Sequence, residues 1–489
     1  MKENNERVGY TEKYYLAVDM GASSGRHILG TVREGKLVLQ EIYRFDNGMK
    51  REGEHLFWDL ESLFEGIKEG MKECRKRGKI PVTMGIDTWA VDFVLLDEEN
   101  RMLGNAAGYR DNRTNGMDEK LYQVIPLKDL YARTGIQKQI FNTIYQLMAV
   151  KEKTPEYFEK GESFLMVPDY FHYLLTGVKK QEYTNATTTQ LVHAETRTWD
   201  YELIQKLGLP ERLFQELSMP GALVGPLSEE MEREVGYSCQ VVLPATHDTA
   251  SAVMAVPLVP GGEESMEDVL YISSGTWSLL GTERFRPDCS MESMKSNFTN
   301  EGGYDHRFRY LKNIMGLWMI QSVKTELEEK GEVYSFAELC RLASEEPISS
   351  IVDCNDSLFL SPESMIVAVQ DYCQRSGMDV PETPGQLAAV IYNSLAACYG
   401  SGVKELESMT GRRYPAIHVV GGGSNAEYLN QLTANRTGRT VYAGPAEASA
   451  IGNLLAQMLS AGEFKSLKQA REAVYRSFSV KEYQPGDRQ

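Results

Sequence analysis

The sequence predicts an α/β protein with two similar domains that face each other across a cleft. Strand and helix patterns alternate along 489 residues, which is more chain than one domain of ordinary size. A strand, a turn of small polar residues and a second strand occur near residue 20, and the same unit returns near residue 275. Helices follow each unit, which indicates a repeated domain. We place the boundary within Ala250–Glu267 and divide the chain into residues 1–255 and 256–489.

Charge and cysteine usage exclude several functions. With 52 basic and 69 acidic residues the net charge is −17, and such a surface repels nucleic-acid phosphates and anionic lipids. The seven cysteines form no CxxC pair, so no zinc ribbon is expected and a reducing compartment is favoured. The first residues are polar, and no run reaches the roughly 18 apolar residues of a membrane span. The sequence therefore predicts a soluble cytoplasmic protein that binds neither nucleic acid nor membrane.

The first half opens with three predicted strands. Short apolar runs place them at 14–19, 27–31 and 37–45, and the small-residue turn between the first two makes a hairpin. A helix follows at 59–77, because apolar residues recur there every three or four positions. The remaining elements predicted in this half are strands at 82–87 and 91–96, helices at 142–153 and 169–176, and a strand at 240–243.

The second half repeats the pattern. Strands at 268–273 and 276–281 flank the second hairpin turn. The other elements predicted there are helices at 316–330 and 384–409, a strand at 414–420 that runs into three glycines, a strand at 440–442, and helices at 446–460 and 466–477.

The first hairpin turn, Gly21–Gly25, has the composition of a phosphate cradle. Small residues let the backbone approach a ligand, and successive N–H groups form an anion-binding concavity. Arg26 adds a cation for phosphate, and Asp19 at the strand end could hold Mg²⁺ through water. A plain hairpin turn is the alternative. The second turn, Ser273–Ser278, has the same character, and the pair suggests two phosphate clamps across a cleft.

The segment Gly85–Phe93 brings acids and an indole to a strand junction. Carboxylates such as Asp87 and Asp92 accept hydrogen bonds from sugar hydroxyls, and the face of Trp89 can cover the apolar side of a sugar. This composition suits polyol recognition. A buried tryptophan beside edge acids is the alternative.

The segment Ala245–Ala252 puts polar residues at the start of a helix of small residues. Asp248 fits a general base presented to a substrate hydroxyl, and a helix-capping acid is the alternative. A lone histidine such as His247 is more often a hydrogen-bonding residue than a catalyst or a metal ligand.

Three glycines, Gly421–Gly423, link a strand to a helix and, with Ala426, match the dinucleotide fingerprint G-x-G-x-x-A. This pattern favours a rival class, a nicotinamide or flavin enzyme. Two observations oppose it: the following strand ends without an acid for a ribose hydroxyl, and too few residues remain for the rest of a dinucleotide domain. A Walker P-loop is absent as well, so any ATP must be held without a Walker lysine.

Taken in order, these segments resemble the FGGY family of carbohydrate kinases, which belongs to the actin, hexokinase and sugar-kinase ATPase superfamily. The matching stretches are AVDMGASSGR, GIDTWAVDFVLLD, YRDNRTNG, PDYFHYLLTG, YTNATTTQLV, HDTASAV, YISSGTWSLLG, TNEGG, LKNIMGLWMIQ, VVGGGSN and AGPAEASAIGN. GIDTWAVDF together with NATTTQL is typical of the members that act on L-rhamnulose. The resemblance implies two ribonuclease-H-like domains of the actin-like ATPase type around an interdomain cleft. The first would bind the sugar, the second the nucleotide, and the last helix would return to the first domain.

The resemblance also implies roles for particular residues. Asp248 is expected to be the catalytic base that takes the proton from the sugar O1 hydroxyl. The expected sugar-binding residues are Ala90, His247, Asp248 and Thr249, together with Asp87 and Trp89. The expected ATP-binding residues are Ala22, Ser23, Ser24, Gly25, Arg26 and Thr276 at the phosphates and Asn313, Gln321 and Gly422 along the nucleotide. The family usually has glycine where Ala90 stands, so the methyl group of Ala90 is expected to press on the sugar.

The reaction implied is phosphorylation of L-rhamnulose by ATP, with Mg²⁺, to L-rhamnulose 1-phosphate and ADP in L-rhamnose catabolism. The expected partners are these small molecules, and the chain is expected to act as a monomer or small homo-oligomer. Two alternatives stay open. Another kinase of the family, acting on fuculose, xylulose or glycerol, would share the machinery and differ in the sugar pocket. A non-kinase actin-like or Hsp70-like ATPase would need no His247–Asp248 pair.

Overall fold

Two large mixed sheets form the framework of the computed structural model, which describes residues 12–261, 266–360 and 362–486. In chain order, the strands are β1 Tyr14–Met20, β2 Ser24–Arg33, β3 Lys36–Asp46, β4 Met49–Glu52, β5 His55–Trp58, β6 Pro81–Thr88, β7 Phe93–Leu96, β8 Ser163–Met166, β9 Gln181–Glu182, β10 Leu217–Ser218, β11 Leu223–Pro226, β12 Gln240–Val242, β13 Leu270–Ser274, β14 Trp277–Arg284, β15 Thr299–Gly302, β16 Phe308–Met315, β17 Ala416–Val420, β18 Thr440–Ala443 and β19 Lys481–Tyr483.

Helices cover the sheets and build a separate region between β7 and β10. They are α1 Leu60–Lys76, α2 Met117–Val124, α3 Leu127–Thr134, α4 Thr143–Lys153, α5 Glu156–Lys160, α6 Val167–Thr176, α7 Tyr183–Thr187, α8 Tyr201–Lys206, α9 Glu229–Val235, α10 Asp248–Met254, α11 Met291–Lys295, α12 Trp318–Glu329, α13 Phe336–Glu345, α14 Met365–Arg375, α15 Pro384–Thr410, α16 Glu427–Thr437, α17 Ala448–Ser460 and α18 Leu467–Ser477. Within the described ranges, no helix has the length and apolar character needed to cross a membrane.

The two large sheets share one strand order. The first runs β3-β2-β1-β6-β12 with β11 at its edge, and the second runs β16-β14-β13-β17-β18 with β15 and β19 at its edges. In both, the first three strands are antiparallel and the other two run parallel to the central strand. The predicted pair of similar α/β domains is confirmed by this matching order.

Local sequence explains the elements that were predicted well. The central strand β1 is buried on both faces, so its residues read as a nearly continuous apolar run. Helix α1 begins after Asp59, whose Oδ1 accepts a hydrogen bond from the backbone N–H of Ser62 (3.1 Å). Its apolar stripe, which includes Leu63 and Ile67, lies against the first sheet.

One predicted strand is partly wrong. The prediction began it at Val91, but β7 begins at Phe93 and pairs with β8 outside the large sheets. Val91 has φ +67°, a left-handed conformation that breaks the strand although a β-branched side chain favours one. The strand β16 was not predicted, because its sequence FRYLKNIM mixes charged and apolar residues without a strict alternation.

Helices α10 and α17 cross between the two sheets. They share an apolar core with β1, β13 and α18. Their backbones approach so closely that a Cβ at Gly452 would overlap the carbonyl oxygen of Ser251. Glycine is therefore required at the crossing point, and α17 is placed where its polar residues reach the end of the first sheet.

Candidate active site

Three carboxylates meet where the parallel strands of the first sheet end. Asp19 on β1 and Asp87 on β6 are direct partners in the parallel register. Asp248 begins α10, and the backbone N–H of Thr88 donates to the carbonyl of Thr246 (2.9 Å) just before it. This bond carries the pairing of β6 and β12 into the turn that holds Asp248. The carboxyl ends of parallel strands are the usual ligand position in α/β sheets.

Two of the three carboxylates, Asp87 and Asp248, have raised pKa values. Burial, and then the negative charge of Asp19, raise the pKa of Asp248 to about 7. Burial and Asp19 also raise the pKa of Asp87 well above its usual range. Asp87 Oδ2 accepts a hydrogen bond from the side-chain amide of Asn453 (2.6 Å), which reaches across from α17. A carboxylate with a pKa near 7 is suited to take a proton at neutral pH.

The carboxylate of Asp248 has one side open. Its Oδ1 accepts hydrogen bonds from the backbone N–H (2.5 Å) and the hydroxyl (3.1 Å) of Thr249. Among the described residues nothing donates to Oδ2, and the side chain is 30% exposed. The helix-capping alternative does not describe this residue, because Asp248 lies inside α10 and the N-cap position is His247, whose side chain makes no capping bond. Oδ1 is held by Thr249, and Oδ2 can meet a ligand.

His247 lies between Asp248 and two residues of the second sheet. Its Nε2 is 3.6 Å from Asp248 Oδ1, and its Nδ1 is 3.0 Å from Arg309 Nη2 on β16. Arg309 also pairs with Glu301 on β15 (2.9 Å). Burial, and then the positive charge of Arg309, hold the pKa of His247 well below its usual range. His247 is therefore a neutral hydrogen-bonding group.

Glu182 holds the backbone of the turn that carries these residues. Its carboxylate accepts from the backbone N–H of Thr184 (2.8 Å), so it caps α7. It also accepts from the backbone N–H (3.1 Å) and the hydroxyl (2.6 Å) of Thr246. Glu182 was not among the residues predicted from the sequence. Its only local signal was an acid directly before the threonine-rich segment Tyr183–Thr189.

Asp92 anchors the segment that follows β6. Its Oδ2 accepts from the indole N–H groups of Trp58 (2.6 Å) and Trp89 (3.0 Å), and its Oδ1 accepts from Gln146 (3.0 Å). The ring centroids of Trp58 and Trp89 lie 3.9 Å apart. Trp89 is buried and Asp92 is fully hydrogen-bonded, so the buried-tryptophan alternative describes this pair. A contact between Trp89 and a sugar stays a prediction.

Ala90 is half-buried and lies in the chain between Trp89 and Val91, whose backbone conformation is unusual. Its neighbour Val91 has φ +67°, and the carbonyl of Val91 accepts from the hydroxyl of Thr143 (2.7 Å) and the amide of Gln146 (3.3 Å). Such a conformation costs about 1–3 kcal/mol and persists only where its surroundings hold it. The backbone next to Ala90 is thereby fixed, two residues beyond the end of β6.

Asn47 holds the first hairpin turn with two hydrogen bonds. The side-chain amide of Asn47 donates to the Gly21 carbonyl (2.7 Å), and its backbone N–H donates to the Ser23 carbonyl (3.1 Å). Ala22 and Ser23 are exposed and Ser24 is half-buried, so a ligand can reach this backbone. The turn is therefore a rigid, accessible cradle.

The arginine after this turn is already paired. Arg26 Nε and Nη2 both donate to Asp19 Oδ2 (2.9 and 2.7 Å), and Nη1 pairs with Glu447, which immediately precedes α17. Its charge is shared between one carboxylate on β1 and one directly before α17. Binding of phosphate by Arg26 and of Mg²⁺ by Asp19 stay predictions. Both require the ion pairs of Arg26 to break or to accept the ligand as a third partner.

The second hairpin turn is packed between the start of α12 and the glycine loop. Thr276 is exposed, and its carbonyl accepts from the backbone N–H of Trp318 (3.2 Å). A Cβ at Gly423 would overlap Ser274 Oγ, whereas nothing lies within 4 Å of a Cβ built at Gly422. The glycine loop therefore packs against Ser274 at Gly423 and has open space next to Gly422.

Asn313 and Gln321 lie on the elements that flank this turn. Both are half-buried, Asn313 on β16 and Gln321 on α12. The buried Oδ1 of Asn313 has no hydrogen-bond partner among the described residues. An orphaned acceptor of this kind fits a ligand donor or a bound water.

A metal ion would not find a complete set of protein ligands in the described part of the chain. No group of three or more His, Cys, Asp or Glu side chains there has the arrangement to hold one. Mg²⁺ usually takes one or two carboxylates, waters and substrate phosphates, so Asp19 and Asp87 fit such an ion only together with a nucleotide.

The predicted residues fall into two groups. Asp19, Asp87, Asp248, His247, Thr249 and Ala90 gather at the end of the first sheet, and Thr276, Gly422, Asn313 and Gln321 lie on the second sheet and its flanking elements. Arg26 with Glu447, and Arg309 with His247, join the two sides. Arg309, Glu301 and Asn453 were not predicted as site residues, since nothing near them in sequence indicates their partners.

Comparison with protein families gives two adjoining matches. Residues 14–255 match the N-terminal domain of the FGGY family of carbohydrate kinases, and residues 270–461 match the C-terminal domain of that family.

Individual proteins are similar over the whole chain. A rhamnulokinase of Halalkalibacterium halodurans is 51% identical over 97% of this chain and 100% of its own. One of Bacillus subtilis is 44% identical over 97% and 96%. Among solved structures, a xylulose kinase of Lactobacillus acidophilus has a TM-score of 0.78 at 16% identity, with 97% and 94% covered. A glycerol kinase of Plasmodium falciparum with ADP has a TM-score of 0.75 at 14% identity, with the same coverage.

Proposed function

Because the chain belongs to the FGGY family of carbohydrate kinases, we propose that it transfers the terminal phosphoryl group of ATP to the O1 hydroxyl of L-rhamnulose. The observation that carries this substrate is 51% identity to a rhamnulokinase over nearly the full length of both chains. The proposed products are L-rhamnulose 1-phosphate and ADP. The proposed setting is L-rhamnose catabolism in the cytoplasm, with the enzyme acting as a monomer or small homo-oligomer.

Asp248 is the proposed general base. Its open Oδ2 and a pKa near 7 suit it to accept the O1 proton as that oxygen attacks the γ-phosphorus. The bond formed is O1–P, the bond broken joins the γ-phosphorus to the β–γ bridging oxygen, and ADP leaves with that oxygen. Thr249 holds Oδ1, so the carboxylate cannot rotate away from the substrate.

The sugar is proposed to lie against Asp248, His247, Thr249 and Ala90, near Asp87 and Trp89. The three carboxylates and the imidazole offer acceptors and a donor for several hydroxyls. Ala90 presents its methyl group on a held backbone, which limits the volume beside the sugar.

The nucleotide is proposed to lie between the first hairpin turn and the group of residues on the second sheet. The turn at Ala22, Ser23, Ser24, Gly25 and Arg26 and the turn at Thr276 would hold the phosphates, while Asn313, Gln321 and Gly422 would face the rest of the nucleotide. The open space at Gly422 and the orphaned Oδ1 of Asn313 support this placement. MgATP is the proposed substrate form, and its ion, near Asp19, would offset charge on the transferring phosphoryl group.

A substrate panel tests the proposed function. Release of ADP is measured with L-rhamnulose, L-fuculose, D-xylulose and glycerol, each over a range of concentrations, with MgATP in excess. The highest kcat/KM is expected for L-rhamnulose, by at least roughly tenfold, because a missing or misplaced hydroxyl leaves buried polar groups unpaired. An equal or higher kcat/KM for any other member of the panel would assign a different sugar to the same machinery.

A further inference from the structure

Arg309 crosses from the second sheet to the histidine beside the proposed base. We propose that Arg309 and Glu301 are positioning residues that hold His247 as a neutral imidazole with its proton on Nε2, directed at the sugar hydroxyl and Asp248. That Nε2–H is directed at a sugar rests on the proposed function. The assignment of the proton to Nε2 does not depend on it.

The chemistry of the guanidinium group assigns the tautomer. Arg309 Nη2 lies 3.0 Å from His247 Nδ1, which is hydrogen-bonding distance. A guanidinium has donors and no acceptor, so Nδ1 must be the acceptor. A neutral imidazole that accepts at Nδ1 carries its proton on Nε2.

The guanidinium cannot turn away, because two other groups hold it. Glu301 Oε2 accepts from Nη2 (2.9 Å), and the carbonyl of Gly302 accepts from Nε (2.8 Å). The side chain of Arg309 is fully buried, and that of Glu301 is 8% exposed. A buried pair of this geometry is rigid, and removing one partner would leave an uncompensated charge.

The arrangement leaves Nε2–H available to a ligand. Nε2 lies 3.6 Å from Asp248 Oδ1, which is too long for a strong direct bond. A substrate hydroxyl at this place could accept from Nε2–H while it donates to the open Oδ2 of Asp248. One hydroxyl would then be fixed by both residues, with its proton directed at the base.

The opposite arrangement has one supporting contact. Glu301 Oε2 lies 3.5 Å from His247 Nδ1, so a protonated Nδ1 could donate to it. That contact is longer than the one to Arg309, and a proton on Nδ1 would point at a cation. Burial and the charge of Arg309 also keep the pKa of His247 well below its usual range, which disfavours the doubly protonated form.

Imidazole ¹⁵N NMR on the wild-type protein tests the tautomer without any turnover. Protein with ¹⁵N-labelled histidine is compared with the His247→Gln variant, and the pair of signals lost in the variant belongs to His247. At neutral pH we expect Nε2 to carry the proton and Nδ1 to be unprotonated. A proton on Nδ1, alone or on both nitrogens, would overturn the proposal whatever the sugar proves to be.

Kinetics of Glu301→Gln and Arg309→Lys test the positioning role. Glu301→Gln keeps a hydrogen-bond acceptor and loses the negative charge that holds the guanidinium. Arg309→Lys keeps the positive charge and loses the planar guanidinium with its several N–H donors. With whichever sugar the panel identifies, we expect kcat/KM for the sugar to fall roughly tenfold or more, while the KM for ATP changes less than about twofold. The ¹⁵N spectrum should show a changed tautomer ratio in both.

Glu407→Gln is the matched control, since Glu407 on α15 is largely buried and pairs with Arg439, which directly precedes β18. It should lower the melting temperature and leave the sugar kcat/KM and the His247 signals unchanged. If Glu301→Gln and Glu407→Gln change the sugar kcat/KM equally, or if neither changes it, Arg309 and Glu301 are structural only.

Discussion

At the scale of single residues, the site depends on how carboxylates are paired. Asp92 and Glu182 are buried with several donors each, so they are structural acceptors. Asp248 differs because one oxygen is held by Thr249 and the other is open. An acid can be recognised as a candidate from sequence, but its number of donors depends on residues far away in the chain. The part that each carboxylate plays therefore had to be assigned from its hydrogen bonds.

Asp248→Asn tests the proposed base. The amide keeps the shape and can still meet a hydroxyl, but it cannot take a proton, so we expect kcat to fall about 10²–10⁴-fold with sugar affinity largely kept. Steady-state kinetics and calorimetric titration of the sugar measure the two effects. Turnover near that of the wild type would remove Asp248 from this role.

The pH dependence follows from the raised pKa of Asp248. Its pKa of about 7 belongs to the protein without substrate, and only the unprotonated carboxylate acts as a base. The kcat/KM for the sugar should therefore rise with pH, pass its midpoint near 7 and level off above it. The range from about pH 5.5 to about 8.5 extends roughly 1.5 pH units on either side of this pKa. A kcat/KM that stays constant over this range would contradict the raised pKa.

At the scale of elements, hairpin turns and glycines were predictable and their contacts were not. The strands and turns of β1–β2 and β13–β14 follow from apolar runs and small residues. The sequence cannot show which glycine of Gly421–Gly423 packs and which one faces open space, because that depends on Ser274 across the sheet. The left-handed backbone at Val91 was missed for the same reason, since tertiary hydrogen bonds override its strand propensity.

Two neighbouring substitutions separate packing from nucleotide binding in the glycine loop. Gly423→Ala should lower the melting temperature, because its methyl group would overlap Ser274 Oγ. Gly422→Ala should leave the melting temperature nearly unchanged and raise the KM for ATP, because its methyl group would enter the space proposed for the nucleotide. Thermal unfolding and ATP saturation curves measure the two effects. An unchanged KM for ATP in Gly422→Ala would place the nucleotide elsewhere.

At the scale of the whole molecule, the two domains meet through α10 and α17. The domain repeat was predictable from two similar hairpin units. The side chains that cross between the domains were not, because Arg309 and His247 are 62 positions apart and Asn453 and Asp87 are 366 apart. The net charge of −17 still argues against polyanion partners, and an anionic nucleotide requires only the local donors of the two turns.

The helix crossing can be tested with a pair of glycine substitutions. Gly452→Ala should destabilise the protein by about 1–3 kcal/mol or more, because its methyl group would overlap the Ser251 carbonyl at the crossing. Gly400→Ala, in the middle of α15, is the control: its Cβ would have no neighbour closer than 3.7 Å. It should stabilise the helix by about 0.5–1 kcal/mol. Urea unfolding measures both, and equal effects would contradict the close crossing.

The most direct test of the central claim is the structure of the reaction product. The protein is incubated with MgATP and L-rhamnulose, and the product is identified by ³¹P and ¹H NMR. A phosphomonoester whose phosphorus is coupled to the C1 methylene protons, formed in equal amount with ADP, is the predicted result. Phosphate on another carbon, or hydrolysis of ATP with the sugar left unphosphorylated, would contradict it.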